Sequence, residues 1–342
     1  MLKELLDERA WLLADGATGT NLFEVGLSSG DAPELWNVDQ PEKISALHQS
    51  FVDAGSDIIL TNTFGANARR LMLHKAEART VELNEAGAAL ARSVADATER
   101  PIVVAGSVGP TGDLFAPLGP LTESEARDVF IEQIEGLKAG GADVVWIETM
   151  SAEDEMRAAA EAAIACDMPY TTTASFDTAG RTMMGIAPDA FAREMKERGT
   201  PPLACGANCG VGASDTLAAI LHMTEAEPDI AVISKANAGI PEFKGEHIHY
   251  SGSPELMARY ATLAVDAGAR IIGGCCGTSP EHIAAMRAAL EAHDAEAGAR
   301  PALDAIVEAT GPLMAPASEP RDSDDASEAR RPRRRRRSVS NA

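Results

Sequence analysis

Three cysteines are the residues best equipped for chemistry. Cys209 stands in Asn208-Cys209-Gly210, and the adjacent pair Cys275-Cys276 lies among Gly273, Gly274 and Gly277. Successive residues of a regular strand point to opposite faces. The pair can therefore converge on one point only where a strand breaks into a turn, and the glycines give the backbone that freedom. Three thiolates about 2.3 Å from one ion, with a fourth position open, make a catalytic zinc arrangement, and soft sulfur selects zinc over magnesium or manganese. Two plainer readings stand beside it: three unrelated core cysteines, each packing as a small hydrophobe, or a disulfide within the vicinal pair. Cys166 and Cys205 fall inside a helix and a strand and read as core. Five cysteines in 342 residues do not make a disulfide scaffold.

Two acids stand out for a different reason. Asp15 and Glu148 each end an apolar run, where a carboxylate is unfavourable unless a cation or hydrogen-bond donors meet it. They read either as a clamp for a substrate ammonium or as caps on neighbouring loop amides. The backbone amides of Gly19 and Thr20, in Asp15-Gly16-Ala17-Thr18-Gly19-Thr20, could hold a carboxylate as small turn residues do. Asn237 is either a turn former or a polar group aimed at the metal. The histidines lack metal-ligand spacing, and His247 and His249 read as surface residues.

The elements that must position these residues follow a repeating pattern. Short β-branched or apolar runs at Trp11–Ala14, Asp57–Leu60, Ile102–Ala105, Val144–Ile147, Thr171–Ser175, Leu203–Gly206, Ala231–Ser234 and Arg270–Gly273 read as eight strands. Helical periodicity follows each, near 41–54, 75–97, 122–140, 151–166, 188–198, 213–224, 253–267 and 280–292. Thr122 and Glu125 have capping-box spacing, and Pro254 and Pro280 stand at first helical turns. Eight β-α units in one chain predict a single-domain α/β fold, a (β/α)8 TIM barrel over about 1–300. All the conspicuous residues follow strands, so the barrel would gather them at its C-terminal mouth.

Composition narrows the function classes. With 30 basic against 52 acidic side chains the formal charge is −22, so no nucleic acid is expected to bind the body. No apolar run approaches a membrane span, and the start lacks a signal-peptide pattern, so the expectation is a cytoplasmic protein. Residues 301–342 read as a disordered Pro/Ser/acidic linker and Arg-rich tail. The seven arginines between Arg330 and Arg337 form either a solvated tail or a contact for nucleic acid or an acidic partner.

Taken together, DGATGT, SDIILTNTFGAN, GSVGPTG followed by PLG, WIET, GANCG, NAGIP and GGCCGTSPEHI resemble the zinc-dependent homocysteine S-methyltransferase family over about residues 10–290. The resemblance implies a (β/α)8 barrel with zinc on Cys209, Cys275 and Cys276, the sulfur of homocysteine at the open position, and methionine as product. It implies that Asp15 and Glu148 hold the substrate ammonium. In the methionine-synthase branch the matching asparagine can approach the metal when substrate is absent, and Asn237 inherits that role.

The methyl donor divides the family. A quaternary ammonium such as betaine wants an aromatic cage, and the chain has 14 aromatics, of which Trp36, Phe64, Phe115 and Phe176 fall near the mouth. Trp36 and Phe64 either line a donor pocket or pack the barrel rim. Gly65 and Thr149 stand where the betaine branch carries aromatics. TNTFG, GPTG and NAGIP are closer to the homocysteine half of cobalamin-dependent methionine synthase. The expectation is a stand-alone homocysteine module of a split methionine synthase, with methylcobalamin on a separate protein. The alternatives are a betaine enzyme, an S-methylmethionine enzyme, or a non-catalytic barrel that binds zinc and homocysteine.

Overall fold

The computed structural model describes residues 1–244, 247–294 and 298–316. Its strands are β1 (Leu12–Leu13), β2 (Ile58–Leu60), β3 (Val103–Val108), β4 (Val144–Met150), β5 (Tyr170–Ala174), β6 (Cys205–Cys209), β7 (Val232–Ala236), β8 (Pro241–Lys244), β9 (His247–Tyr250) and β10 (Ala269–Gly274). Eight of them form one parallel sheet in the order β1-β10-β7-β6-β5-β4-β3-β2. The sheet closes through a parallel bridge between Ala14 and Ile58, where the Asp15 N–H donates to the Ile58 carbonyl at 3.0 Å. The fold is the expected (β/α)8 barrel, with β8 and β9 added as an antiparallel hairpin after β7.

Alternation along the strands builds two cores. Leu12, Ala14, Ile58, Leu60, Val103, Ala105, Val144, Trp146, Ile233 and Ile271 fill the barrel interior. Their neighbours Leu13, Ile59, Val104, Val145, Ile147, Val232 and Ile272 face outward into the layer of helices. Strands buried on both faces read as continuous apolar runs, and these do. Leu2, Leu5 and Leu6 of the helix Leu2–Glu8 join the interior core, an element the sequence reading did not include. Helix starts follow the expected chemistry: Thr122 and Glu125 make the capping box, and Ser253 caps the helix at Pro254–Asp266.

The packed body runs beyond residue 300. Residues Leu303–Thr310, read from sequence as part of the tail, form a helix whose Ile306 is fully buried. The segment after it is tied to the helix Ala213–Ala226: Asp215 accepts from the N–H groups of Met314 and Ala315 at 2.9 and 2.8 Å. The arginine run and the rest of 317–342 lie outside the described residues, as do the side chains of His247 and His249.

Candidate active site

β6 and β10 bring the three cysteines together. The sulfurs of Cys209, Cys275 and Cys276 all lie within 4.8 Å of one another. Three thiolates around one tetrahedral zinc would be about 3.8 Å apart, so the donor set fits such an ion in number, softness and spacing. All five cysteines are free thiols, Cys205 being buried in the outer core. As bare thiols the three hold their protons. Hydrogen bonding to Cys275 pushes Cys209 up to about 12, and hydrogen bonding to Cys209 pushes Cys276 up to about 11. A cation among them supplies what ionisation needs.

The backbone is bent to present these sulfurs. Cys209 has φ of 61°, a left-handed conformation that non-glycine residues adopt at a cost. Cys275 and Cys276 converge because β10 ends in a turn, with the Thr278 N–H donating to the Cys275 carbonyl at 3.1 Å. Gly277 completes it with φ of 78°, and a Cβ there would collide with Tyr250.

Side chains of neighbouring strands hold the two cysteine loops in register. The Asn237 Nδ2 donates to the Gly210 carbonyl at 2.7 Å, and its Oδ1 accepts from the Cys276 N–H at 3.0 Å. Asn237 therefore bridges the residue after Cys209 to Cys276 itself. Asn208 donates to the Cys275 sulfur at 3.8 Å and clamps Thr149 through its N–H and hydroxyl, at 2.9 and 2.7 Å. Thr149 also has φ of 61°. The hydroxyl of Tyr250 hydrogen-bonds with Cys276. Sequence reasoning missed Asn208 and Tyr250 as parts of the site. Only the fold brings the end of the hairpin over the cysteine turn.

Beside the sulfurs lies a buried charged floor. Asp15, at the end of β1, is 1% exposed and Glu148, on β4, is 7% exposed. The Asp15 Oδ2 accepts from the Leu60 N–H at 2.7 Å, and its Oδ1 meets the Lys235 Nζ at 2.9 Å. Lys235 also donates to the Asp15 carbonyl at 3.1 Å and sits 5.9 Å from the Trp146 ring centroid, inside the barrel. Glu148 accepts from the Ser107 hydroxyl. Burial pushes the Asp15 carboxyl above its ordinary range, against the pull of Lys235. Burial likewise pushes Glu148 up to about 6. Lys235 was the residue to notice from sequence: a lysine within the strand Val232–Ala236, otherwise free of charge, must find a buried anion.

The remaining sequence candidates occupy the rim. Gly19 and Thr20 open the short helix Gly19–Glu24, and the Thr20 hydroxyl accepts from the Gly277 N–H at 3.2 Å. Trp36 packs in a satellite core with Leu22, Leu27 and Ile44, and the Lys43 Nζ covers a ring face at 4.4 Å. Phe64 is 37% exposed and lies against Gly109, where a Cβ would strike its ring.

Fold and site together define a barrel enzyme with a three-cysteine centre at its C-terminal mouth. Residues 12–290 match the family model of homocysteine S-methyltransferase, and the chain belongs to that family. It is 30% identical over 305 residues to the methionine synthases of Mycobacterium tuberculosis and Mycobacterium leprae. The match covers 84% of this chain and 25% of each relative, so the chain spans about a quarter of their length. Among solved structures it resembles the homocysteine methyltransferase MmuM from Escherichia coli. The oxidised form matches with a TM-score of 0.71 and 27% identity, over 84% of this chain and 98% of that one. The metallated form matches with a TM-score of 0.70.

Proposed function

We propose that the chain methylates the sulfur of homocysteine to give methionine, taking the methyl group from methylcobalamin carried by a separate protein. The observation that carries the reading is the convergence of three sulfurs within 4.8 Å beside a carboxylate floor. Cys209, Cys275 and Cys276 would hold zinc. Bound zinc supplies a thiophilic Lewis acid at which a thiol is ionised at neutral pH. The protein's own residues do the rest. The acidic floor at Asp15 and Glu148 supplies the negative charge for the substrate ammonium, the amides of Gly19 and Thr20 receive its carboxylate, and Asn237 holds the two cysteine loops at a fixed separation.

The donor assignment rests on the rim. A quaternary ammonium is held between aromatic faces, yet one face of Trp36 is covered by Lys43, and Gly65 and Thr149 offer no ring. The 30% identity to proteins named methionine synthases supports the branch that TNTFG, GPTG and NAGIP resemble. An onium donor, betaine or S-methylmethionine, is the second reading. It is favoured by Phe64, 37% exposed at the rim, which offers an open aromatic face. The test supplies zinc-loaded protein with homocysteine and one donor at a time, with methylcobalamin given free and on a corrinoid protein. Methionine from methylcobalamin alone is the expected result. Turnover with an onium donor and none with methylcobalamin overturns the donor assignment. Homocysteine binding without methionine from any donor makes the protein a non-catalytic binder.

A further inference from the structure

The reading of the floor as an ammonium site leaves a difficulty, because the floor already contains an ammonium. Lys235 is 2% exposed, and its Nζ touches both the Asp15 carboxylate at 2.9 Å and the Asp15 carbonyl at 3.1 Å. The other Asp15 oxygen is taken by the Leu60 N–H at 2.7 Å. Each Asp15 oxygen thus has a donor from the protein itself, and the residue is 1% exposed. Glu148 is more open, at 7%, and its carboxylate accepts from a neutral hydroxyl, that of Ser107. Two carboxylates against one lysine leave the floor with one uncompensated negative charge, which one incoming ammonium would balance.

We propose that Lys235 is a positioning residue that neutralises Asp15 and withdraws it from substrate binding, so that Glu148 alone receives the ammonium of the amino-acid substrate. The proposal rests on the homocysteine reading and refines it. Lys235 and Asp15 form a self-satisfied pair that braces the ends of β1 and β7, above Trp146. The charge selecting an amino acid over a plain thiol sits on β4. Asp15 is then needed chiefly because Lys235 is there: with Asp15 neutral, the lysine would turn to Glu148 and occupy the substrate's place.

The test is a cycle read as selectivity on the zinc-loaded full chain. Calorimetry compares the affinity for homocysteine with that for 4-mercaptobutyrate, which keeps the thiol and carboxylate and lacks the amine. Wild type is expected to prefer homocysteine by more than about tenfold, as a hydrogen bond between charged groups allows. Glu148→Gln should abolish the preference. Asp15→Asn should weaken it, and adding Lys235→Met to Asp15→Asn should restore it, a rescue that a purely structural role for the pair would not produce. A double variant as unselective as Glu148→Gln overturns the proposal while leaving the homocysteine reading intact. Wild type without any preference for homocysteine overturns both. Carboxyl-carbon NMR of wild type gives a readout that needs no variant to fold. On adding homocysteine the Glu148 resonance should move and that of Asp15 should stay, and a larger shift at Asp15 overturns the proposal.

Discussion

Burial at the barrel mouth raises the Glu148 carboxyl from about 4.5 to about 6. The folded chain therefore binds a proton at a pH where the unfolded chain has released it. Stability contributed by this group is present in full below about pH 4.5 and is lost as the pH rises through 6. A shift of this size corresponds to about 2 kcal/mol. The site holds an ionised carboxylate at neutral pH against its own folding energy, as expected for a group kept to bind a cation. Glu148→Gln removes the titration. In metal-free protein, urea unfolding should show the variant gaining about 2 kcal/mol over wild type on going from pH 4 to pH 8. A pH-independent difference between the two would mean that Glu148 is not strained by burial.

Elements were legible in the sequence where their periodicity was long or their burial complete. Each of the eight expected runs overlaps a barrel strand, least at β6, expected at Leu203–Gly206 and found at Cys205–Cys209, because a parallel strand buried on both faces gives a short apolar or β-branched run. The helix Leu2–Glu8 escaped notice because seven residues show too few turns of amphipathic period. The hairpin β8–β9 escaped because its strands, Pro-Glu-Phe-Lys and His-Ile-His-Tyr, contain no continuous apolar run. The cysteines were visible as a type and a spacing. Their supports, Asn208 and Tyr250, were not, since their use depends on which loops the barrel places side by side. Asn237 shows the difference most directly. Sequence left it between turn former and metal-facing group, whereas the structure makes it a strut from Gly210 to Cys276. Removing such a support while keeping every ligand typically lowers metal affinity 10–100-fold. Asn237→Ala should do so here, measured by zinc competition against a chromophoric chelator. An unchanged affinity would show that the cysteine loops hold their separation without it.

The whole molecule separates chemistry from stability along the barrel axis. The three converging sulfurs, Asp15, Glu148 and the left-handed Cys209 and Thr149 gather at the C-terminal mouth, and the opposite end is organised around Asp57, which is 1% exposed. Its carboxylate meets Arg9 at 2.9 Å, Arg287 at 3.1 Å and Arg100 at 3.4 Å, and it accepts from the Leu13 N–H at 3.0 Å. These partners come from the residue after the first helix, the last barrel helix, the approach to β3, and β1 itself. Together they span the seam between β1 and β2, where the sheet is closed by a single bridge. Breaking a buried ion pair typically costs 3–5 kcal/mol. The arginines are about a third exposed and can turn to water, so Asp57→Asn should cost about 3 kcal/mol, the lower end of that range. Because the loss falls at the far end of the barrel, the variant should keep its zinc stoichiometry and homocysteine affinity at temperatures well below its melting transition. Cys209→Ala should behave in the opposite way, losing the metal while melting near wild type in the metal-free state. If Asp57→Asn instead sheds zinc while still folded, the seam transmits strain to the mouth and the two ends of the barrel are coupled.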